Sequence, residues 1–559
     1  MSVTRNNRLD RRHFLAWFST AVGASLVQSG EITRDALEQA EVVAGVRFTD
    51  EERDLMLSGI NEQLQSYQSL RAVPLPNGLP PALRFDPRPA RASLDDERRP
   101  IRMSEAPIPA VPDDLEELAF WPVTVLARLV QSRRVSATQL TQMYLGRLKR
   151  YGPKLECVIS LTEERALEQA RRADAEIAAG RYRGPLHGIP WGAKDLLAVK
   201  GYKTTWGAMP YKDQVIDADA TVVQRLDEAG AVLVAKLTLG ALAWGDVWYG
   251  GTTRNPWNYE QGSRGSSAGS ASATAAGLVG FAIGTETWGS IVSPSTRCGA
   301  TGLRPTFGRV SRHGAMALSW SMDKIGPICR NVEDCAIVFD AIHGSDGEDL
   351  SVIDGPFNWD AGLRLDRLRI GYLPEAFEEA REDEDEWRAI DLRTLETLRA
   401  MGWELRPVEL PRLPIGAMSF ILDVEAAAAF DELTRSNRDD LLVRQIEEAW
   451  PNAFRKARLI PAVEYIQANR VRTIAMRAMT DLMTSIDVYV APSLVGDNLL
   501  LTNLTGHPTV VVPNGFRSDG TPTSISFTGR LFGEAETLAV ARAFQEATDF
   551  HRRHPPLQI

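Results

Sequence analysis

Residues Arg264 to Pro305 read RGSSAGSASATAAGLVGFAIGTETWGSIVSPSTRCGATGLRP and constrain this chain more than any other stretch. The run is almost without charge and is crowded with Gly, Ser, Thr and Ala. Small residues let one backbone approach another, or a ligand, closely. Hydroxyls spaced along such a run become nucleophiles when a base lies near. The plain alternative is a tightly packed interior of Gly/Ala-rich strand and helix, and composition alone leaves both open.

The rest of the chain says what can surround that stretch. At 559 residues there is room for one large domain or a few ordinary ones. With 44% hydrophobic and 24% charged residues it reads as globular. A net charge of -10 gives no electrostatic footprint for nucleic acid. Cys157, Cys298, Cys329 and Cys335 are too scattered for a disulfide framework or a zinc site, so they read as free, buried small hydrophobes. No metal or cofactor is expected.

Residues 1–30 read as a signal segment. Arg11-Arg12-His13-Phe14-Leu15 opens a mostly apolar run to Val27, which resembles a bacterial twin-arginine export signal and is too short to span a bilayer. No clear small-residue cleavage site precedes Glu31, and an ordinary amphipathic helix is the alternative. The expectation is export to the periplasm through that signal, or a cytoplasmic protein without it. No stable membrane insertion is expected. Residues 31–112 read as a helical extension followed by a linker rich in Pro and Arg; Thr49 with Glu52 offers a helix cap. The catalytic domain is placed at 113–559.

From Asp113 the pattern alternates. Leu115–Val130 and Ser136–Arg150 read as amphipathic helices, with Ser136 an N-cap. A strand is expected within Leu155–Leu161, a helix over Thr162–Ala179 stopped by Gly180, and a strand at AVLVAKL after the helix Thr221–Ala229. Helices alternating with apolar strands argue for an α/β fold, one large mixed sheet flanked by helices. Further on, Met418–Leu433 and Ile460–Met483 read as long helices, Glu375–Glu386 as a solvated acidic face, Asp487–Pro492 and Thr509–Pro513 as strands, and Gly533–Phe550 as the last helix.

Lys194 stands in IPWGAKDLLAV, with only Asp195 charged nearby. Desolvation there favours the neutral amine, and a neutral amine is a competent general base. A lysine reaching to water or pairing with a carboxylate is the competing reading.

The motifs GPLHGIPWGAKD, NPWN, RGSSAGS, GTETWGSI, CGATGLRPTFGRVS, SWSMDKIGP and NLTGHPTVVVPNGF, in this order, resemble the amidase signature family from about Asp113 to near the C-terminus. The resemblance implies the amidase-signature fold and a Ser–cis-Ser–Lys triad. Matched by motif position, the base is Lys194, the bridging serine Ser266 and the nucleophile Ser290. It also implies an oxyanion hole built from the backbone N–H groups of Thr287, Trp288, Gly289 and Ser290. Ser290 would attack an amide carbonyl, Lys194 would take the proton through Ser266, and water would resolve the acyl-enzyme.

The chain departs from the family pattern in places. Trp288 replaces a glycine, Val292 an arginine and Glu286 an aspartate, and KLTLGALA lacks the Asn and Glu frequent in its counterpart. A rival motif, G-x-S-x-G over Gly265–Gly269, would make Ser267 the nucleophile with Asp487 and His507; it demands a hydrophobic strand just before it, and NPWNYEQGSR is not one. His507, Asp323 and Tyr465 otherwise read as pocket-wall, packing or structural residues.

The function that follows is hydrolysis of a carbon–nitrogen bond in a small-molecule amide. The alternatives are a glutaminase-type subunit of a tRNA-dependent amidotransferase, or a non-catalytic ligand-binding relative. Trp191, Trp206, Trp244, Trp248 and Trp288 near the motifs hint at an apolar or aromatic group on the substrate. Family members are often dimers, which extends here as the expectation of a homodimer.

Overall fold

Strand-forming residues recur along the chain in short, mostly apolar runs, and in the computed structural model these runs meet in one sheet. The structure describes residues 32–557 except 82, 89–96, 106–107 and 379–384. The residues expected to form the export signal lie outside those described. The chain divides into two compact units, Met1–Leu75 and Pro76–Ile559.

In the first unit, helices Arg34–Ala44 and Asp50–Arg71 are joined by a short loop. Thr49 caps the second in a full capping box with Glu52. Arg53 ties the two helices together through Glu41 at 2.8 Å.

The second unit is built on eleven strands: β1 (Val158–Leu161), β2 (Pro190–Lys194), β3 (Val232–Leu237), β4 (Phe281–Glu286), β5 (Thr301–Arg304), β6 (Lys324–Cys329), β7 (Ile370–Tyr372), β8 (Leu405–Pro407), β9 (Val488–Pro492), β10 (Thr509–Phe516) and β11 (Pro522–Gly529). Their order across the sheet is β1-β3-β2-β4-β6-β5-β10-β11-β9-β7-β8. The sheet is mixed. β2 runs parallel to β3 and β4, whereas β6 runs antiparallel to β4 and β5. Central strands β2, β3, β4 and β6 are buried along their whole length, which is why each is mostly apolar without alternation, its charged residue at or near one end.

Helix limits follow the sequence at the Ser136 cap and at Gly180, although the helix expected to end at Arg150 runs on to Leu155. Ser136 caps Ala137–Leu155 in a box with Gln139, and Gly180 adopts a left-handed φ of 79° just past Glu163–Ala178. They break where a proline or a tight turn intervenes. The stretch expected as one helix from Leu115 is a 3₁₀ turn, Leu115–Phe120, then a helix Val123–Gln131 entered through Pro122. The long helix expected at Met418 splits into Phe420–Ala429 and Asp431–Arg435 at Phe430, a buried ring stacked against Phe454. The helix Ala462–Ser485 is continuous.

Part of the Pro-rich segment lies along the second unit. Asn77 pairs with the backbone of Ala317 through both its amide atoms, at 2.7 and 2.9 Å. The Phe85 ring meets Phe307 edge-on at 5.0 Å and carries the Arg472 guanidinium 3.6 Å from its centroid.

Candidate active site

The Gly/Ser-rich stretch crosses the centre of the sheet. It runs as a turn, the helix Ala268–Ala275, strand β4, a second turn and the helix Val292–Cys298. The first turn carries Ser266 and Ser267; the second carries Ser290. Strand β2 lies beside β4 and ends at Lys194.

Lys194 is wholly buried, and among the described residues its amine meets no carboxylate. Nζ lies 2.8 Å from Ser266 Oγ, 3.0 Å from Ser267 Oγ and 2.8 Å from Thr285 Oγ1. Burial drives this amine well below the ordinary lysine range, while the carboxylates of Asp323 and Glu286 pull the other way. The buried amine is therefore favoured in its neutral, basic form.

Ser266 enters this contact through a cis peptide bond with Gly265. Only glycine fits at 265, because a Cβ there would fall 1.8 Å from the carbonyl oxygen of Gly245. Ser267 is fixed by its neighbours: its hydroxyl donates to the Thr285 carbonyl at 3.0 Å and its N–H to the Ser290 carbonyl at 3.1 Å. That last bond holds the two turns together. Among the described residues the Lys194–Ser266 contact is formed, and no hydrogen bond joins the Ser266 and Ser290 hydroxyls. In a site without substrate such a contact is commonly long, tightening when the substrate seats.

Past β4 the chain turns through Thr287, Trp288 and Gly289, the last with φ 83°. Among the described residues, the N–H groups of Thr287, Trp288, Gly289 and Ser290 donate to no protein acceptor. Four consecutive free amides beside a serine are a potential oxyanion site. The turn is pinned at both ends. At its start, Thr287 Oγ1 donates to Asp323 at 2.6 Å, and Asp323 also accepts the N–H groups of Leu318 and Ser319. At its end, Glu286 accepts the N–H groups of Ile291 and Val292 at 2.8 and 3.0 Å.

Glu286 is itself held by Arg304 at 2.9 Å and Asn503 at 2.8 Å. Burial pushes this carboxyl upward, but the Arg304 charge and hydrogen bond and the Val292 amide outweigh it and hold it at about 2. Val292, standing where the family has an arginine, is completely buried.

Sequence reasoning did not single out Thr285 or Ser267 as lysine partners, nor Glu286 and Asp323 as anchors of the turn that carries Ser290. Thr285 lies near the end of β4, two residues before Thr287 in the following turn, and because β4 is buried along its whole length no alternation marked it. The rival elbow is not assembled. Ser267 bonds to Lys194 and Thr285; buried His507 contacts Thr505, with its pKa pressed by burial to about 3; Asp487 is paired with Arg369. The tryptophan hint narrows. Trp191 is buried against Phe281, Trp206 against Tyr211, Trp248 lies edge-on to Tyr249, and Trp244 lies under Arg444. Of the five, Trp288 alone is exposed.

A family model described as Amidase matches residues 139–499. The chain is 33% identical over 490 residues to a glutamyl-tRNA(Gln) amidotransferase subunit of Moorella thermoacetica, covering 79% of this chain and all (100%) of that protein. It is 34% identical over 476 residues to the protein of the same name from Methylococcus capsulatus, covering 77% and 97%. Among solved structures, the native peptide amidase of Stenotrophomonas maltophilia matches with a TM-score of 0.69 at 30% identity, covering 79% of this chain and 99% of that one. A bacterial aryl acylamidase of the amidase signature family matches with a TM-score of 0.69 at 21% identity, covering 78% and 97%, a likeness of fold.

Proposed function

This chain belongs to the amidase signature family and is an amide carbon–nitrogen hydrolase of it, and from that premise we propose that it works through an acyl-enzyme on Ser290, with Ser266 and Lys194 as the proton relay. The observation that carries the reading is the Lys194 amine. It is wholly buried, touches only hydroxyls and a carbonyl among the described residues, and lies 2.8 Å from Ser266 Oγ.

The steps follow from those positions. Ser290 Oγ attacks the amide carbonyl carbon as its proton passes to Ser266 Oγ, while the Ser266 proton passes to Lys194 Nζ. The carbonyl oxygen becomes an oxyanion facing the free N–H groups of Thr287, Trp288, Gly289 and Ser290. The carbon–nitrogen bond then breaks. The leaving nitrogen takes a proton from Ser266, which is refilled from Lys194. A water molecule repeats the sequence on the ester: its proton goes down the relay, and Ser290 leaves with a proton returned to its oxygen. The substrate in this reading is a small-molecule amide.

A second reading is favoured by the curated relatives, which are named as glutamyl-tRNA(Gln) amidotransferase subunits and whose lengths this chain spans almost completely. In that reading the amide is the side chain of glutamine and the chain works within a larger assembly. The triad chemistry is the same in both.

The test is labelling and turnover. A fluorophosphonate probe should modify Ser290 in the purified chain and leave the Ser290→Ala protein untouched. An amide panel that includes glutamine then separates the two readings. Release of ammonia from glutamine alone supports the second; hydrolysis of other amides supports the first. Labelling at a residue other than Ser290, or hydrolysis surviving in Ser290→Ala, overturns the acyl-enzyme proposal.

A further inference from the structure

Among the described residues, one tryptophan or phenylalanine is exposed, and it stands two positions before Ser290. Trp288 is 44% exposed, whereas Thr287 and Ser290 on either side of its turn are 6% and 8% exposed. An indole left in water gives up the burial that aromatic side chains ordinarily gain, so it asks for a reason where it occurs. Packing supplies none: no ring stacks on it and no hydrogen bond holds it among the described residues. Backbone geometry supplies none either, since the left-handed turn is made by Gly289.

The turn that carries the indole has an aliphatic neighbour. Leu499 Cδ2 lies 3.2 Å from where a Cβ on Gly289 would stand, so a leucine flanks the same turn, and Leu499 is half-buried. The next helix begins with buried Val292, which offers no charge. The nearest carboxylate in sequence, Glu286, is fully engaged by Arg304, Asn503 and two amides. The turn that leads into Ser290 thus carries an exposed indole and is flanked by a leucine.

We propose that Trp288 is a specificity-determining residue, its indole forming the wall against which the planar apolar group of an aromatic amide lies while Ser290 attacks the carbonyl. The proposal rests on the reading of Ser290 as nucleophile and adds to it the class of substrate. An aromatic ring meets an indole in offset or edge-on contact and removes apolar area from water on both partners. A small aliphatic amide reaches the same carbonyl position and gains little from that wall.

The experiment compares phenylacetamide with propionamide. The quantity read is the ratio of their kcat/KM values, because any loss common to both substrates cancels. In Trp288→Ala the ratio should fall by about tenfold, and Trp288→Phe should restore most of it. An unchanged ratio overturns the proposal, as does a wild-type preference for propionamide or glutamine over phenylacetamide. A binding measurement stands apart from turnover. By calorimetry, phenylacetamide should bind Ser290→Ala about tenfold more tightly than Ser290→Ala/Trp288→Ala. Equal affinities overturn the Trp288 proposal even in an active enzyme. Unequal affinities in a protein that fluorophosphonate does not label uphold the aromatic site and sink the nucleophile assignment instead.

Discussion

The Lys236 amine lies 2.7 Å from the Asp195 carboxylate, both wholly buried, and Asp195 follows Lys194 in sequence. Two lysines therefore enter the interior at adjacent places, since Ala193 of β2 is paired with Lys236 of β3, and they meet opposite fates. Lys236 has a carboxylate, the Lys203 carbonyl at 2.9 Å and the Thr204 hydroxyl at 3.0 Å. Lys194 has hydroxyls. Asp195, which also accepts from Thr205, is turned to the other lysine and does not serve Lys194 as a counter-ion.

Removing one member of that pair strands the other. Lys236→Met leaves a buried carboxylate without its cation and should cost about 3–5 kcal/mol of folding stability. Replacing both partners, Lys236→Met with Asp195→Leu, should recover most of that loss. Urea denaturation of the single and double variants measures both, and equal losses in the two would contradict the pairing argument.

Lys194 should act as its neutral form, and this has a pH signature. Its folded pKa lies well below the ordinary value of 10.5 because of burial. Activity should therefore be full above the lowered pKa and fall as pH drops through it, giving an acid limb in the kcat/KM profile. Lys194→Met should lower kcat by about 10²–10⁴-fold, the usual worth of a positioned base, and Lys194→Arg should not rescue it. The same shift makes the lysine a stability liability. A folded state that disfavours the proton is destabilised below the unfolded pKa, and increasingly so as pH falls until the folded pKa is reached. Lys194→Met should thus melt at a higher temperature than wild type at neutral pH, with the gap closing toward pH 10.5. A lower melting point for this variant at pH 7 would show that the amine is charged and paired in the fold.

Glu286 behaves oppositely. Its pKa falls from 4.5 to about 2 on folding, so its contribution is present above the unfolded value and is lost as pH falls toward the folded one. The shift corresponds to roughly 3 kcal/mol at neutral pH. Acid unfolding of wild type should show this loss between about pH 4.5 and 2, and Glu286→Gln should start less stable and lose less over that window. Parallel acid-unfolding curves would mean that Arg304 and the two amides do not depend on the charge.

Much of this was legible in the sequence, for identifiable reasons. Strands such as VLVAKL announce themselves because both faces are buried, and Ser136 or Thr49 mark helix starts because a hydroxyl must satisfy amides that the helix cannot. Lys194, Ser266 and Ser290 could be proposed from the sequence because each lies inside an ordered motif. The anchors were not. Asp323 and Thr287 are 36 residues apart and meet only through the pairing of β4 with β6. Glu286 looked like a mere variant of aspartate; its four hydrogen bonds come from three segments of the chain. Trp288 stood out in the sequence for replacing a glycine, but that it is the exposed one of the five tryptophans is visible only in the fold. Register and burial are properties of the sheet, and no local pattern encodes them.

The contact between Thr287 and Asp323 gives the last expectation. Thr287 contributes two things to the turn before Ser290: an N–H that donates to no acceptor among the described residues and a hydroxyl that anchors the turn to Asp323 at 2.6 Å. Thr287→Val keeps the first and deletes the second at nearly constant volume. A hydrogen bond to a charged partner is worth about 1.5–3 kcal/mol, so a turn freed from it should cost roughly 10–100-fold in rate. The loss should fall on kcat and leave KM nearly unchanged, because the turn is needed most when the oxyanion forms. Asp323→Asn should also lower kcat, since its single amide oxygen can accept from Thr287 or from the Leu318 and Ser319 amides but not from both sides. Thr287→Ser retains the hydroxyl and should restore most of the activity. A Thr287→Val enzyme with wild-type kcat would mean that Gly289 and the Glu286 anchor hold the four amides in place unaided, and that the hydroxyl serves packing alone.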